Sequence, residues 1–437
     1  MSLTRRVFGL AGLIVLCVAP LRAQEEDLSS VRVGIRYEPG YVPALVVAPL
    51  RSPPGLEATA AQIADILGTD LDYSDRFEIF PVPDSLLTGG PINYGLWNQL
   101  GAVWLVTADV SGTPAAPILR VGLHDVVYGE LKNVQAFSLP AVEADAFRMA
   151  VHRASDAVVD WATEGEPGMA ATRIAFRRRS ADGTSALYMV DSDGHNVRQI
   201  STGASHVYSP AFSPDGGRIA YTVQDAAGHF AMMEVNLETG RRRTVDAGSG
   251  LYTSPTYTPD GGLAYAKRVG DGLEIFLESG RQLTQTRGDA LNASFSPDGE
   301  WIAFEADPLN QQQIYVQRVS GGSPRLISRY VRNERTNAEG PDWSPVGERI
   351  AYGAFVDGVY QIFSVNPDGS DRRMLTSRGR NEDPSWGPDS RHIVFASEQA
   401  TGRGLMILDT VTGRTRSLIR GRVDMLPDWS ASLQRGR

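Results

Sequence analysis

Histidine and carboxylate side chains are the groups in this sequence best equipped for chemistry, and their spacing limits what they could do. His124, His152, His195, His206, His229 and His392 are the six histidines, and none pairs with another at the short separations zinc ligands use. They read as surface or loop residues. Cys17 is the single cysteine, which excludes a disulfide framework and any cysteine-clustered metal site. Residues 203–207 approach a nucleophile elbow but lack its final glycine, and no phosphate-cradling or dinucleotide-binding glycine motif follows a strand-like run. Asp215, Asp260, Asp298 and Asp389 recur inside one short motif, so they read as turn residues and not as catalytic carboxylates.

That motif reveals the elements that must position everything else. Segments 209–221, 254–265, 292–304, 340–352 and 383–395 are variants of Ser-Pro-aromatic-Ser-Pro-Asp-Gly followed by an Arg-Ile-Ala-Tyr type run, and 426–430 is a sixth copy cut short. The anchoring aromatics Phe212, Tyr257, Phe295, Trp343, Trp386 and Trp429 are spaced by 45, 38, 48, 43 and 43 residues. Within each copy, proline presets φ, aspartate bonds its own backbone and glycine takes positive φ, which makes a tight hairpin. The run after the turn is β-branched and aromatic, as a buried strand requires. A second hairpin follows in most copies, for example 314–317 with 325–327 and 362–365 with 372–375. Four short strands per roughly 43 residues is the period of a propeller blade. Residues 173–176 are a second strand without a first, and 427–430 a first strand without a second. Joining them closes a six-bladed β-propeller over residues 173–430 and removes the open sheet edges.

In such a ring the segments entering each innermost strand converge on one mouth of the channel. They bring together His206, Tyr208, Tyr252, Asn292, Glu339, Glu382, Asp383, Asp424 and Met425. Tyrosine and methionine among polar groups make the composition of a protein-binding patch. Glu339, Glu382 and Asp424, with Asp383 beside them, could offer oxygens to Ca²⁺, but a solvated acidic rim without a fixed metal is the plainer reading. No metal and no cofactor is assigned.

Residues 31–162 have a different texture. Strands are expected over 31–35, 44–47, 77–80 and 102–107, a hairpin over 118–126 and 131–137, and helices over 56–70 and 143–162. Ala60, Ile63, Leu67 and Leu71 share a face of the first helix, and Phe147, Val151, Ala154, Val158 and Trp161 form the apolar stripe of the second. The fold class is therefore mainly β, a six-bladed β-propeller preceded by a small mixed α/β domain, with a linker at 163–172 and a tail at 431–437. Before them, Arg5 and Arg6 precede an apolar run over 7–19 that is too short to span a bilayer. Residues 1–23 read as a signal peptide, with Thr-Arg-Arg-Val-Phe at 4–8 open to a twin-arginine route as well as the general one. Acidic residues exceed basic ones for a net charge of −9, which argues against nucleic acid as a partner.

The order of parts resembles the TolB family, periplasmic components of the Tol–Pal system. The resemblance rests on Val-Val-Ala-Pro-Leu at 46–50, the segment 70–77, Trp97 before 100–103, His-Arg-Ala-Ser-Asp at 152–156, the junction 172–176 and the terminal 426–430. Three features depart from the pattern: Ala-Thr-Glu-Gly at 162–165, a second repeat one residue short, and the extra residues 432–437. The resemblance implies a monomeric, non-enzymatic periplasmic adaptor. Its propeller mouth would bind a Pal-type outer-membrane lipoprotein, and its flexible segment 24–30, beginning Gln24, Glu25, Glu26 and Asp27, would engage a TolA-type inner-membrane protein. The assembly would support outer-membrane invagination and integrity during division. The competing expectation from the residues alone is an exported hydrolase or carbohydrate-binding propeller.

Overall fold

The structure, a computed structural model, describes residues 41–81, 91–202, 206–248 and 250–433. The signal peptide expected over 1–23, Gln24 to Asp27 and the strand expected over 31–35 lie outside the described residues.

The α/β domain is built on a five-stranded sheet of β1 (Ala44–Val47), β2 (Glu78–Ile79), β3 (Trp104–Thr113), β4 (Ala116–Asp125) and β5 (Glu130–Ser138), in the order β2-β1-β3-β4-β5. β1 pairs in parallel with β2 and β3, and the remaining pairs are antiparallel. Helices α1 (Glu57–Tyr73) and α3 (Phe147–Thr163) lie against it, with a short α2 (Tyr94–Gln99). Ile63, Leu67 and Leu71 of α1 and Phe147, Val151, Ala154 and Val158 of α3 meet Val106, Leu119 and Leu123 of the sheet in one core. Both helical stripes read from the sequence thus face inward, except that Trp161 only packs on the rim of that core. Helix α1 continues past residue 70 because Leu71 extends its buried face. Helix α3 begins four residues later than its periodicity predicts, after turns over 142–146.

The connection to the ring is pinned. Asp156 accepts hydrogen bonds from the amides of Ala170 and Ala171 at 2.8 and 3.0 Å. Gly168 passes so close to Asp156 that a Cβ there would sit 2.1 Å from its carboxylate, so only glycine fits.

Six sheets follow. The closing blade is β28 (Val423–Trp429), β6 (Arg173–Arg179), β7 (Ser185–Asp191) and β8 (Arg198–Gln199), so the C-terminal strand lies in the N-terminal blade with Trp429 opposite Ile174. The innermost strands of the other five are β9 (His206–Phe212), β13 (Tyr252–Tyr257), β16 (Ala290–Phe295), β20 (Ala338–Trp343) and β24 (Arg380–Trp386). Each inner strand touches the next, and β28 touches β9, so the ring is closed. Its seams are stitched by a repeated hydrogen bond. The residue before the anchoring aromatic accepts the aromatic's amide in the next blade: Ser294 from Trp343, Asp342 from Trp386, Ser385 from Trp429 and, across the closure, Asp428 from Phe212.

The third blade departs from the four-strand plan, with only three strands. The shortened spacing there leaves no outer strand beyond a single bridge between Phe276 and Gln282. Thr284 accepts the Ile275 amide as Ser201, Ser328 and Thr376 accept the equivalent amides in four-stranded blades, and Asp289 accepts that of Leu273. Among the described residues, no helix is long and apolar enough to cross a membrane.

Candidate functional site

Every inner strand carries the same irregularity. Ser209, Ser254, Asn292, Gly340, Asp383 and Leu426 all have positive φ, and each inner strand shifts register against its neighbour around that residue. A bulge bends the strand and re-aims the side chains that precede it. It lies between the mouth end of the strand and the anchoring aromatic. His206, Tyr208, Tyr252, Asn292, Glu339, Glu382, Asp383, Asp424 and Met425 therefore all lie on inner strands at or before the bulge, and the ring brings them to one mouth.

Their chemistry is uneven around the rim. On one side His206, Tyr208 and Phe230 form a tilted aromatic row with ring centroids 6.3 and 6.4 Å apart, and the Arg177 guanidinium lies 4.8 Å from the centre of the Tyr208 ring. Tyr252 packs on Tyr265 at 6.4 Å. On the other side carboxylates crowd together. Glu305, a residue of β17 (Trp301–Ala306), is buried beneath the rim and accepts from Asn292 Nδ2 at 2.8 Å and from the Gly340 amide at 3.2 Å. Burial pushes its carboxyl up to about 7. Burial, then the neighbouring Glu305 and Asp383, push Glu339 up to about 8. Asp383, which accepts from the Leu426 amide at 3.0 Å, is pushed up by burial to about 6. The remaining two rim carboxylates are engaged. Arg178 holds Asp424 through two bonds of 2.7 and 2.8 Å, and Arg380 holds Glu382 at 2.6 Å.

This bears on the calcium alternative. Asp424 is fully buried and tied to a guanidinium, so its oxygens face an arginine. Among the described residues, the groups of three histidines or acids close enough to share an ion are Asp70–His152–Asp193 and Asp75–His392–Asp409. Those atoms too are bound to protein partners: Asp193 to Arg148, Asp70 to Ser155, Asp409 to Arg391 and Asp75 to Arg414.

The same two groups correct the reading of the histidines as surface or loop residues. His152 and His392 are fully buried, and His124 is buried between Tyr94 and Thr107 at 2.9 and 3.0 Å. They are inside because each ring is hydrogen-bonded through at least one nitrogen, which offsets the cost of burying it. His195 and His229 do have largely exposed side chains. The turn reading of the repeated aspartates holds: Asp215 accepts from Ser213 and the Gly217 amide, and Asp298 from Ser296 and the Glu300 amide. Asp389 does the same for Arg391 and His392 and also binds the His392 ring.

Ser155, His152 and Asp70 form the one serine–histidine–aspartate grouping we find among the described residues. The serine hydroxyl donates to Asp70 at 2.6 Å and not to the imidazole, and all three are sealed from solvent. A nucleophile needs its base on its own oxygen and a path for substrate, so this grouping is structural. A cavity of about 630 Å³ between the third and fourth blades, floored by Leu263, Leu277, Phe295 and Val319, lies away from the mouth among the Asp-Gly turns. It opens where the short repeat lacks the residue that stands as Arg218, Trp301, Arg349 and His392 in other copies.

Glu305 and Arg177 escaped the sequence reading because both sit on second strands, while only the segments entering inner strands were considered. Glu305 had a signal, a lone charge inside the otherwise apolar run 301–306, whereas Arg177 is one of four arginines in its strand and had none.

A family model described as the TolB beta propeller domain matches residues 162–433. The Tol-Pal system protein TolB of Anaeromyxobacter dehalogenans is 31% identical over 219 residues, 48% of each chain. That of Nitrosomonas europaea is 36% identical over 179 residues, 40% of each chain. The chain thus spans about half the length, or less, of the curated relatives it matches. In fold, the crystal structure of TolB from Acinetobacter baumannii superposes with a TM-score of 0.77 at 24% identity, covering 90% of this chain and 98% of that one. The chain belongs to the TolB β-propeller family.

Proposed function

We propose that this chain is a non-enzymatic periplasmic adaptor of a Tol–Pal-type system. In this reading the mouth of the propeller docks a peptidoglycan-associated, Pal-type outer-membrane lipoprotein. Segment 24–30 engages a TolA-type inner-membrane protein, and the assembly helps the outer membrane follow the division septum. The observation that carries the reading is the family match over residues 162–433. The mouth supports it physically. A closed ring of sheets is stiff, so docking a folded partner orders little of the receptor. Its rim offers aromatic surface at Tyr208 and Tyr252 beside carboxylates that lack ion-pair partners.

The test is titration calorimetry of the mature protein against the soluble domain of the peptidoglycan-associated lipoprotein from the same genome. Binding should weaken at least about tenfold in Tyr208→Ala, the loss typical of an aromatic interface anchor. Deleting residues 24–30 should leave that binding intact and abolish capture of the TolA-type protein. Failure of the lipoprotein to bind, together with glycan turnover by the purified chain, would overturn the adaptor in favour of a hydrolase.

A further inference from the structure

Helix α1 ends in a charge pattern that it cannot satisfy alone. Its last turn holds Asp70 and Asp72 with no basic residue, and Asp75 follows in the left-handed region at φ 51. The C-terminus of a helix is the negative end of its dipole and favours cations. Here the cations arrive from the ring. Arg414 reaches Asp72 and Asp75, each at 2.9 Å, and Arg391 donates to the Asp75 carbonyl at 2.6 Å. Arg416, buried, stacks over Tyr73 at 4.0 Å.

Two buried histidines complete this contact, one from each side. His392 of the ring has Nδ1 2.6 Å from Asp389 and Nε2 3.1 Å from Asp75 of the α/β domain. His152 of α3 is bonded through Nδ1 to Asp70 at 2.7 Å, and its buried Nε2 lies 3.4 Å from Asp193 of the ring, an ion-pair contact without a hydrogen bond. A neutral imidazole has one N–H, and only the doubly protonated ring can offer a hydrogen to a carboxylate at both nitrogens. We propose that His392, hydrogen-bonded to a carboxylate at each nitrogen, and His152, bonded to Asp70 and ion-paired with Asp193, form a protonation-dependent latch between the α/β domain and the ring, closed while both imidazoles are cationic and loosened when either loses a proton to solvent. This inference is independent of which partners the mouth takes.

The full electrostatic surroundings support it. Around His152 stand Asp70 from α1, Arg148, Ser155 and Asp156 from its own helix, Asp191 and Asp193 from the first blade, and Arg416 from the sixth. Around His392 stand Asp75 from α1, Arg76 just beyond it, Asp389 in its own turn, and Arg391, Asp409 and Arg414 of the sixth blade. Burial alone would lower both imidazoles, but the carboxylates outweigh it, and both are raised above the ordinary 6.5. A raised histidine contributes stability that is complete below its unfolded value and lost as pH climbs through its folded one. The latch is therefore tight near the ordinary imidazole value and opens on its alkaline side, by up to about tenfold in the docking equilibrium per pH unit for each histidine.

Hydrogen exchange on the mature full-length chain tests this, after correction for base-catalysed exchange. Amides over 71–75, including that of Ser74 bonded to Asp70, should lose at least tenfold protection between pH 7 and 9, while the inner strands of the ring keep theirs. His392→Gln should lower that protection at pH 7 and flatten its pH dependence. A flat wild-type profile, or a variant profile identical to it, overturns the latch. Should the variant fail to fold, imidazole nitrogen resonances of the wild type decide. Two protonated nitrogens on both His152 and His392 at pH 7.5 support the latch, and one bare nitrogen on either sinks it.

Discussion

At the channel mouth, Glu305, Glu339 and Asp383 crowd together with no arginine, lysine or histidine in ion-pair contact among the described residues, and all three carboxyls are pushed up. On the opposite face, where the α/β domain sits, Asp193, Asp389 and Asp409 are also buried against low-dielectric surroundings, yet arginines and histidines hold all three below the usual carboxylate range. Burial acts against the charged form in both places. The difference is compensation. Where each charge has met its partner within the chain, the contact is structural and binds domain to ring. Where charge is left uncompensated and partly open to the channel, it remains available to something that arrives from outside.

The comparison can be broken most severely at the junction. Arg391 bonds Asp409 through two nitrogens at 2.8 and 2.7 Å and the Asp75 carbonyl at 2.6 Å, with the Asp409 side chain fully buried. Arg391→Ala would strand that carboxylate, and removing one partner of a buried pair costs about 3–5 kcal/mol. Calorimetry should register the largest loss of thermal stability of the variants considered, with Asp409 no longer held down at about 2. A loss below about 1 kcal/mol would mean that the junction charges are not the fastening.

At the mouth the same kind of change should have the opposite sign. Glu339 is raised from 4.5 to about 8, so ionising it costs the folded state progressively as pH rises between those values. Glu339→Gln should match the wild type below pH 4.5 and exceed it by up to about 4 kcal/mol near pH 8. The three carboxyls titrate as one coupled group, so the gain should spread over more than one pH unit. Urea unfolding across pH 4–9 measures it, and a variant less stable than the wild type at pH 8 would show that the rim carboxylates are compensated after all.

Much of this architecture was legible in the sequence because repetition is a local signal. The orphan strands at 173–176 and 427–430 implied the closure now seen between Ile174 and Trp429, and the entry segments implied which residues share the mouth. The junction was not legible, because Asp70 and His152 lie 82 positions apart and Asp75 and His392 lie 317 apart. Composition gives no hint of such contacts. One trace existed: His392 occupies the position that Arg218, Trp301 and Arg349 fill in sister repeats, and a residue out of pattern in a repeat is where a contact beyond the repeat should be sought.

The subtlest test applies one isosteric change to both regimes. Asp428 seals the ring by accepting the Phe212 amide at 2.6 Å, and burial pushes its carboxyl up to about 8. At pH 7 it is mostly a neutral acid, so Asp428→Asn keeps the acceptor and removes almost no charge. Below about pH 4, where the carboxyl is neutral folded and unfolded alike, its effect should stay within about 0.5 kcal/mol, as for substitutions that spare every buried partner. Asp428→Ala, which leaves the Phe212 amide without an acceptor, should cost about 1–3 kcal/mol. Between about pH 4 and pH 8 the asparagine form should become progressively the more stable one, because the unfolded wild type ionises there while the folded carboxyl, with no cation in contact, does not. Asp409→Asn at the junction makes the identical atomic change, yet it takes a charge away from Arg391 and should be strongly destabilising at pH 7. Equal effects of the two substitutions in denaturant unfolding would erase the distinction between a carboxylate that fastens and one that is left open.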